Sequence, residues 1–306
     1  MITLYDAFFR GLKLFSRMVD KSRRYTSHYR FIDRSSGNEN LLIIVAGYQQ
    51  YLWEKVFDRI SEYSDYDLDI CVVVPGKDDN ELKQICEGNN WSYLCTKENK
   101  LALAQNMAIK LHPSAEWIYK LDEDMFIGRG YFQGLKETYR KADVDGRYRV
   151  GVVSPLINVN GACYRWYLEK KGLVEEYEEK FGMARTTCDV DPIYAEGEAA
   201  VFMWKATLPI DKTIEEFAKE EVGYFSVPIR LSIGAFLMKR SLWEEMGGFK
   251  VAAAGQLAWE EMCLCEYCVN WSYTIIVATN VFVGHFGFGK QKQTMKEYYK
   301  DNSEMF

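Results

Sequence analysis

Along the chain, short apolar runs alternate with segments whose apolar residues recur at helical spacing. The run "LLIIVAGY" (41–48) has strand length, and helical spacing through Tyr51, Val56 and Ile60 follows it. A second run, "DICVVVPG" (69–76), precedes a helical stretch around Leu82 and Ile85. "WSYLCT" predicts a short strand, "NKLALAQNMAIKL" (99–111) a helix, and "EWIYKL" the next strand. A helix over 131–142 then leads to "YRVGVVSP" (148–155), another strand. Continuous apolar strands alternating with helices predict an α/β fold, its parallel sheet covered by helices on both faces.

The flanks read differently. In residues 4–30, Phe8, Leu12, Phe15 and Val19 recur near helical spacing among Arg10, Lys13, Arg17, Lys21, Arg23 and Arg24. This N-terminal extension, residues 1–40, is expected to carry a basic amphipathic helix, closed by the loop "DRSSGNEN" (33–40). Such a helix suits either peripheral contact with an anionic membrane or packing against the main domain. Residues 156–227 hold charged helical material, "YLEKKGLVEEYEEKF" and "IDKTIEEFAKEE". Regular patterning resumes in "IRLSIGAFLMKR", "SLWEEMGGF", a helix around 257–268 and "TIIVATNVFVGHFG". The expected domain therefore spans 41–306, with one half at 41–155 and another at 156–306.

Composition narrows the function classes. The chain has 306 residues, 48% hydrophobic and 27% charged, enough for a sizeable core. Its formal net charge of −6 argues against broad nucleic-acid binding, because no basic excess displaces counterions from a phosphate backbone. No signal-peptide pattern or long apolar run is read, and the eight cysteines lie mostly in apolar segments, so a cytoplasmic protein with reduced thiols is expected. Cys263, Cys265 and Cys268 lack a paired half-site and read as buried thiols rather than a zinc site.

The chemistry concentrates in "EWIYKLDEDMFIG", where a greasy strand runs into Asp122, Glu123 and Asp124. The same Asp-x-Asp spacing recurs at Asp65/Asp67, Asp67/Asp69, Asp143/Asp145 and Asp189/Asp191, none of them after a strong strand. Ligands of open α/β sheets bind beyond the carboxyl ends of strands. Residues two apart in extended chain point the same way, so Asp122 and Asp124 are placed to face one ligand. A divalent cation that prefers oxygen, magnesium or manganese, neutralises such a pair and leaves positions open for a diphosphate. The alternative is a solvated turn.

The order of "LLIIVAGY", "ICVVVPG", "TKENKLALAQNMAIK", "WIYKLDEDMF", "GAFLMKRSLWEEMGGF" and "AWEEMCL" resembles the nucleotide-sugar glycosyltransferases of the GT-A type, close to family 2. The resemblance covers about residues 41–287. It implies that Asp122 and Asp124 approach the metal on the donor diphosphate, Asp124 as the better direct ligand. Glu123 is then the variable middle acid, near the donor ribose or solvent, and His285 completes the metal site. Glu261 becomes the base that takes the acceptor hydroxyl's proton. Glu260 hydrogen-bonds the acceptor, Trp259 offers a platform for a sugar face, and Gly247 and Gly248 lie near both sugars. Ala46, Gly47, Tyr48, Pro75 and Gly76 are the expected base and ribose contacts, with Asn99 and Asn106 beside the uracil and diphosphate. Asn99 suits a helix N-cap equally well.

The chain also departs from the family's pattern. Pro75, Gly76 and Lys77 stand where an acid for the base or ribose is usual, and Glu260–Glu261 replaces Glu–Asp. The arginine expected a few residues on is absent, Cys265 and Glu266 occupying that place. The resemblance nonetheless implies an inverting hexosyltransferase moving sugar from a nucleotide-sugar donor, a UDP-sugar first, to a saccharide or lipid-linked glycan. A non-catalytic sugar-nucleotide adaptor is the main competitor. A nucleotidyltransferase would need a basic, glycine-rich phosphate loop that "AGYQQYLWEK" does not supply.

Overall fold

The computed structural model describes residues 23–64, 67–188, 192–252, 258–287 and 289–306. Most of the basic helix expected over 4–30 lies outside them. Where the structure resumes, the chain is not helical. Tyr29–Ile32 forms strand β1, antiparallel to β4 (Ser92–Thr96). The expected helix therefore does not extend to residue 30, because sheet pairing claims those backbone groups.

The core is a mixed sheet whose strands follow the apolar runs. β2 (Asn40–Val45) lies between β3 (Asp69–Pro75) and β5 (Trp117–Asp122), parallel to both, and all six of its residues are buried. Helices α1 (Gln50–Tyr63), α2 (Asn80–Gly88) and α3 (Leu101–Leu111) connect these strands as crossovers. After β6 (Met125–Phe126) and α4 (Tyr131–Asp145) comes β7 (Val150–Ile157). The segment 156–227, hard to pattern from sequence, folds as α5 (Tyr164–Lys171), α6 (Val174–Phe181), α7 (Pro192–Ala195), α8 (Gly197–Thr207), α9 (Ile210–Ala218) and β8 (Tyr224–Ser226). The chain closes with β9 (Ala235–Lys239), α10 (Arg240–Glu245), α11 (Trp259–Asn270), β10 (Thr274–His285) and α12 (Lys292–Asn302).

Among the described residues the sheet runs β1-β4-β3-β2-β5-β9-β7-β10-β6, with β8 on β10. Helices flank it, α3 against β2–β4 and α4 against β7 and β10. The sheet is mostly parallel, as expected, with β9 running antiparallel to both β5 and β7. Apolar content cannot distinguish the two directions, since both bury two faces here. Reversal brings the start of β9 to the same edge as the carboxyl ends of β2, β5 and β7. Both expected halves, 41–155 and 156–306, thus contribute strands to one sheet.

The described N-terminal segment is pinned through Arg24. Its buried guanidinium donates to the carbonyls of Met246, Gly247 and Gly248, at 2.9, 2.6 and 3.0 Å. Replacing a buried cation that satisfies three carbonyls should be costly. Arg24→Ala is expected to lower unfolding free energy by roughly 2–4 kcal/mol, read as a fall in urea midpoint at unchanged slope. An unchanged midpoint would show that the segment is not part of the folded unit.

Candidate active site

The carboxyl end of β5 assembles the site. Lys120 and Asp122, two residues apart, project to one side of the strand. The Lys120 ammonium, 4% exposed, lies 2.7 Å from Asp122 Oδ1 and donates to the Ile233 carbonyl at 2.8 Å. The Asp122 N–H donates to the Gly234 carbonyl at 2.8 Å, joining β5 to the entry of β9. Met125 Cε packs against Gly234, in the space a β-carbon would take. Burial pushes the Asp122 carboxyl up, Lys120 opposes this, and Asp124 adds to it.

Glu123 turns the other way, which corrects its expected place near ribose or solvent. Its carboxylate is buried under the β2–α1 loop and accepts the N–H groups of Gly47, Tyr48 and Gln49 at 2.8, 2.8 and 3.0 Å, together with Trp53 Nε1. Those amides precede α1, so Glu123 supplies the cap that Gln49's own side chain does not. Burial pushes its pKa up to about 7, against the pull of these donors.

Asp124 is brought to His285 by a short pairing of β6 with the end of β10, in which Met125 faces His285. β10 reaches this far because its register on β7 shifts between Ala278 and Phe282, a bulge within a long strand. Asp124 Oδ2 accepts from Gln49 Nε2 at 2.7 Å and lies 3.6 Å from His285 Nε2. The other imidazole nitrogen, Nδ1, is 2.7 Å from the Val159 carbonyl and must donate to it, which leaves Nε2 facing the acid. Burial raises the Asp124 pKa, but His285 and Gln49 outweigh it and hold the carboxyl below the usual aspartate value. Burial lowers the His285 pKa, and Asp124 outweighs that to raise it.

A histidine whose far nitrogen is fixed by a backbone carbonyl, beside two carboxylates, has the donor chemistry of a manganese or magnesium site. No three His, Cys, Asp or Glu side chains form a closed metal-holding group among the described residues. Asp122 is turned to Lys120 instead, while 37% of its side-chain surface stays open. The expected alignment of both aspartates on one strand face fails for a simple reason. β5 ends at Asp122, and Asp124 lies in the turn before β6.

The second acid pair lies in the first turn of α11, where the helix N-terminus favours negative charge. The two side chains differ in their engagements. Glu261 Oε2 accepts the Ile233 N–H at 3.1 Å, and its Oε1 lies 3.3 Å from Arg230 Nε. Among the described residues, Glu260 meets its own backbone N–H and the fields of Lys120 and Asp122. Burial raises both carboxyls. Trp259 is half-buried at the first helical position.

The remaining expected contacts divide into two groups. Gly47, Tyr48, Pro75, Gly76 and Asn99 gather at the ends of β2, β3 and β4, where Tyr48 is 46% exposed and its hydroxyl donates to Asn99 Oδ1 at 2.7 Å. Gly76, at φ +77, packs so closely on Asn99 that a β-carbon would stand 2.5 Å from Asn99 Cβ. Asn99 is not the helix cap, which is Lys100. Ala46 is wholly buried behind this rim, its N–H donating to Val73. Asp78 and Asp79 do not replace the missing acid: Asp79 caps α2 and pairs with Lys77, while Asp78 pairs with Lys83 and Arg30.

Asn106, Gly247 and Gly248 gather at a different place, around Arg24. Asn106 is fully buried, its amide donating to the carbonyls of Arg24 and Phe249 and accepting from Trp243 Nε1 and the Phe249 N–H. The two glycines sit against Arg24 and Asn106. Both polar atoms of the Asn106 side chain are already used. Lys120, Gln49, Asn158, Val159 and Arg230 had escaped sequence reasoning, although a lysine two residues before Asp122 in an apolar strand was a readable signal.

No family model matches the chain, and no curated protein matches it in sequence. Among solved structures it is similar to the mannosyltransferase PcManGT from Pyrobaculum calidifontis in complex with GDP-Man and Mn2+. Identity is 17% and the TM-score 0.48, over 83% of this chain and 58% of that one. At that level the likeness assigns no activity.

Asn106→Ala should cost roughly 2–4 kcal/mol of stability by stranding buried partners. The folded variant should keep the nucleotide affinity of the parent, measured by calorimetric titration. A selective loss of affinity would return Asn106 to the ligand site.

Proposed function

We propose that this chain is an inverting, metal-dependent glycosyltransferase of the GT-A type, moving a sugar from a nucleotide sugar, a UDP-sugar first, to a saccharide or lipid-linked glycan. One observation carries the reading. Asp122, Asp124 and His285 meet at one sheet edge, and Glu260 and Glu261 share the field of Lys120 with that group. A fold-building role does not require so many acids around one cleft, because each buried charge must be compensated.

In this reading Gly47, Tyr48, Pro75, Gly76 and Asn99 form the nucleotide rim, with exposed Tyr48 the surface for the base. Asp124 and His285 hold the cation, and Asp122 joins them. The chemistry supplied there by manganese or magnesium is Lewis-acid neutralisation of the departing diphosphate. The base is better assigned to Glu260 than to Glu261. Arg230 and the Ile233 amide already occupy the oxygens of Glu261, whereas Glu260 has its own backbone N–H and the fields of Lys120 and Asp122, and burial raises both carboxyls. Glu261 then orders the acceptor wall through Arg230, and Trp259 offers a sugar platform. The helical segment 156–227 shapes the acceptor side.

Thermal-shift measurements with nucleoside diphosphates, with and without manganese, test the donor class. Stabilisation by UDP that requires manganese is expected in the parent and absent in Asp124→Ala, because only a ligand of the native state raises the melting temperature. A shift with GDP alone would change the donor, and no shift with any nucleotide would favour the adaptor.

A base must be deprotonated to act, so kcat/KM should rise with pH through an apparent pKa above the ordinary glutamate value of 4.5. Glu260→Gln should lower kcat by about 10²–10⁴-fold while sparing UDP binding. A smaller loss than that of Glu261→Gln would move the base to Glu261.

A further inference from the structure

Lys120 is a buried cation inside an apolar strand, and the mechanism above assigns it no step. The contrast with Lys136 is instructive. Lys136 is also buried, but it pairs with Glu39 and Asn40 at the start of β2, far from the acids, and so ties two elements together. Lys120 instead sits on Asp122 Oδ1 at 2.7 Å and on the Ile233 carbonyl at 2.8 Å. Ile233 also donates its N–H to Glu261. The ammonium thus stands between the acids at the end of β5 and those opening α11, and its field reaches Asp124, Glu260 and Glu261.

We propose that Lys120 is a built-in counter-cation that holds Asp122 until a nucleoside diphosphate arrives, making metal binding conditional on the diphosphate. The inference rests on the metal-dependent reading above. Half-open Asp122 and buried Asp124 stay ionised beside each other only with compensating charge. Lys120 compensates the first and His285 the second. Lys120 holds Oδ1 of Asp122, so a divalent ion arriving alone must share that carboxylate with a buried ammonium, two cations on one acid. Like charges so close repel strongly where burial weakens solvent screening. A diphosphate entering the same site offsets that repulsion, so the two ligands bind cooperatively. Linkage requires the coupling to be reciprocal.

Manganese titrations of the full chain, followed by the electron paramagnetic resonance of the free ion, measure this coupling directly. In the parent, UDP should tighten manganese binding by about ten-fold or more. In Lys120→Gln, which keeps a donor for the Ile233 carbonyl, manganese alone should bind about ten-fold tighter than in the parent, and the effect of UDP should shrink. Lys120→Met should behave alike, whereas Lys120→Arg should keep the parent's coupling.

Unchanged or weaker binding of manganese alone by the folded neutral variants overturns the proposal and leaves the glycosyltransferase reading standing. The parent itself provides a test without any variant: equal manganese affinity with and without UDP overturns the counter-cation role. No manganese binding by any form, with UDP or GDP present, overturns the metal reading and this inference together.

Discussion

Compensation of buried negative charge is the constraint on which the rest of this structure depends. Asp122, Glu123 and Asp124 follow one another at a strand end, and Glu260 and Glu261 approach from α11. Four of the five have a partner of their own. Asp122 takes Lys120, Glu123 takes three backbone amides and an indole, Asp124 takes Gln49 and His285, and Glu261 takes Arg230. The three consecutive carboxylates are therefore not repeats of one function. Glu123 builds the loop that α1 starts from, while its neighbours meet Lys120, Gln49 and His285.

The route by which His285 reaches Asp124 shows how sheet geometry serves the site. β7 alone would carry its parallel neighbour only to the sheet's edge. The shift in register within β10 lets its last residues continue and pair with β6. Asn158 and Val159, the residues that leave β7, then fix the backbone and ring of His285. Trp204 of α8 donates to the His285 carbonyl at 3.0 Å, so the segment least patterned in sequence helps hold the most exactly oriented side chain. Rigid strands set the position, and loops set the protonation pattern.

Antiparallel β9 has a comparable consequence. Its reversal places Ile233 and Gly234 at the cleft, where their backbone groups meet Lys120, Asp122 and Glu261. It also sends α10 to the far end of the sheet, where Gly247 and Gly248 meet Arg24. No helix among the described residues is long and apolar enough to cross a membrane. The cysteines are free thiols, and Cys263, Cys265 and Cys268 are packed into buried positions.

By itself, the sequence determined the alternation of strands and helices through "LLIIVAGY", "DICVVVPG" and "EWIYKL", because period and apolar run length are local properties. It also determined that acids would stand beyond a strand end, and that a second pair would open a helix. Tertiary structure alone decided which way β9 runs, that Glu123 turns inward while Asp124 meets His285, and that Asn106 is spent in the core. It likewise decided that Glu261 is held by Arg230 while Glu260 faces Lys120 and Asp122. These outcomes depend on partners at least 28 residues away in the chain or on a register shift, and neither leaves a mark in the local pattern of polar and apolar positions.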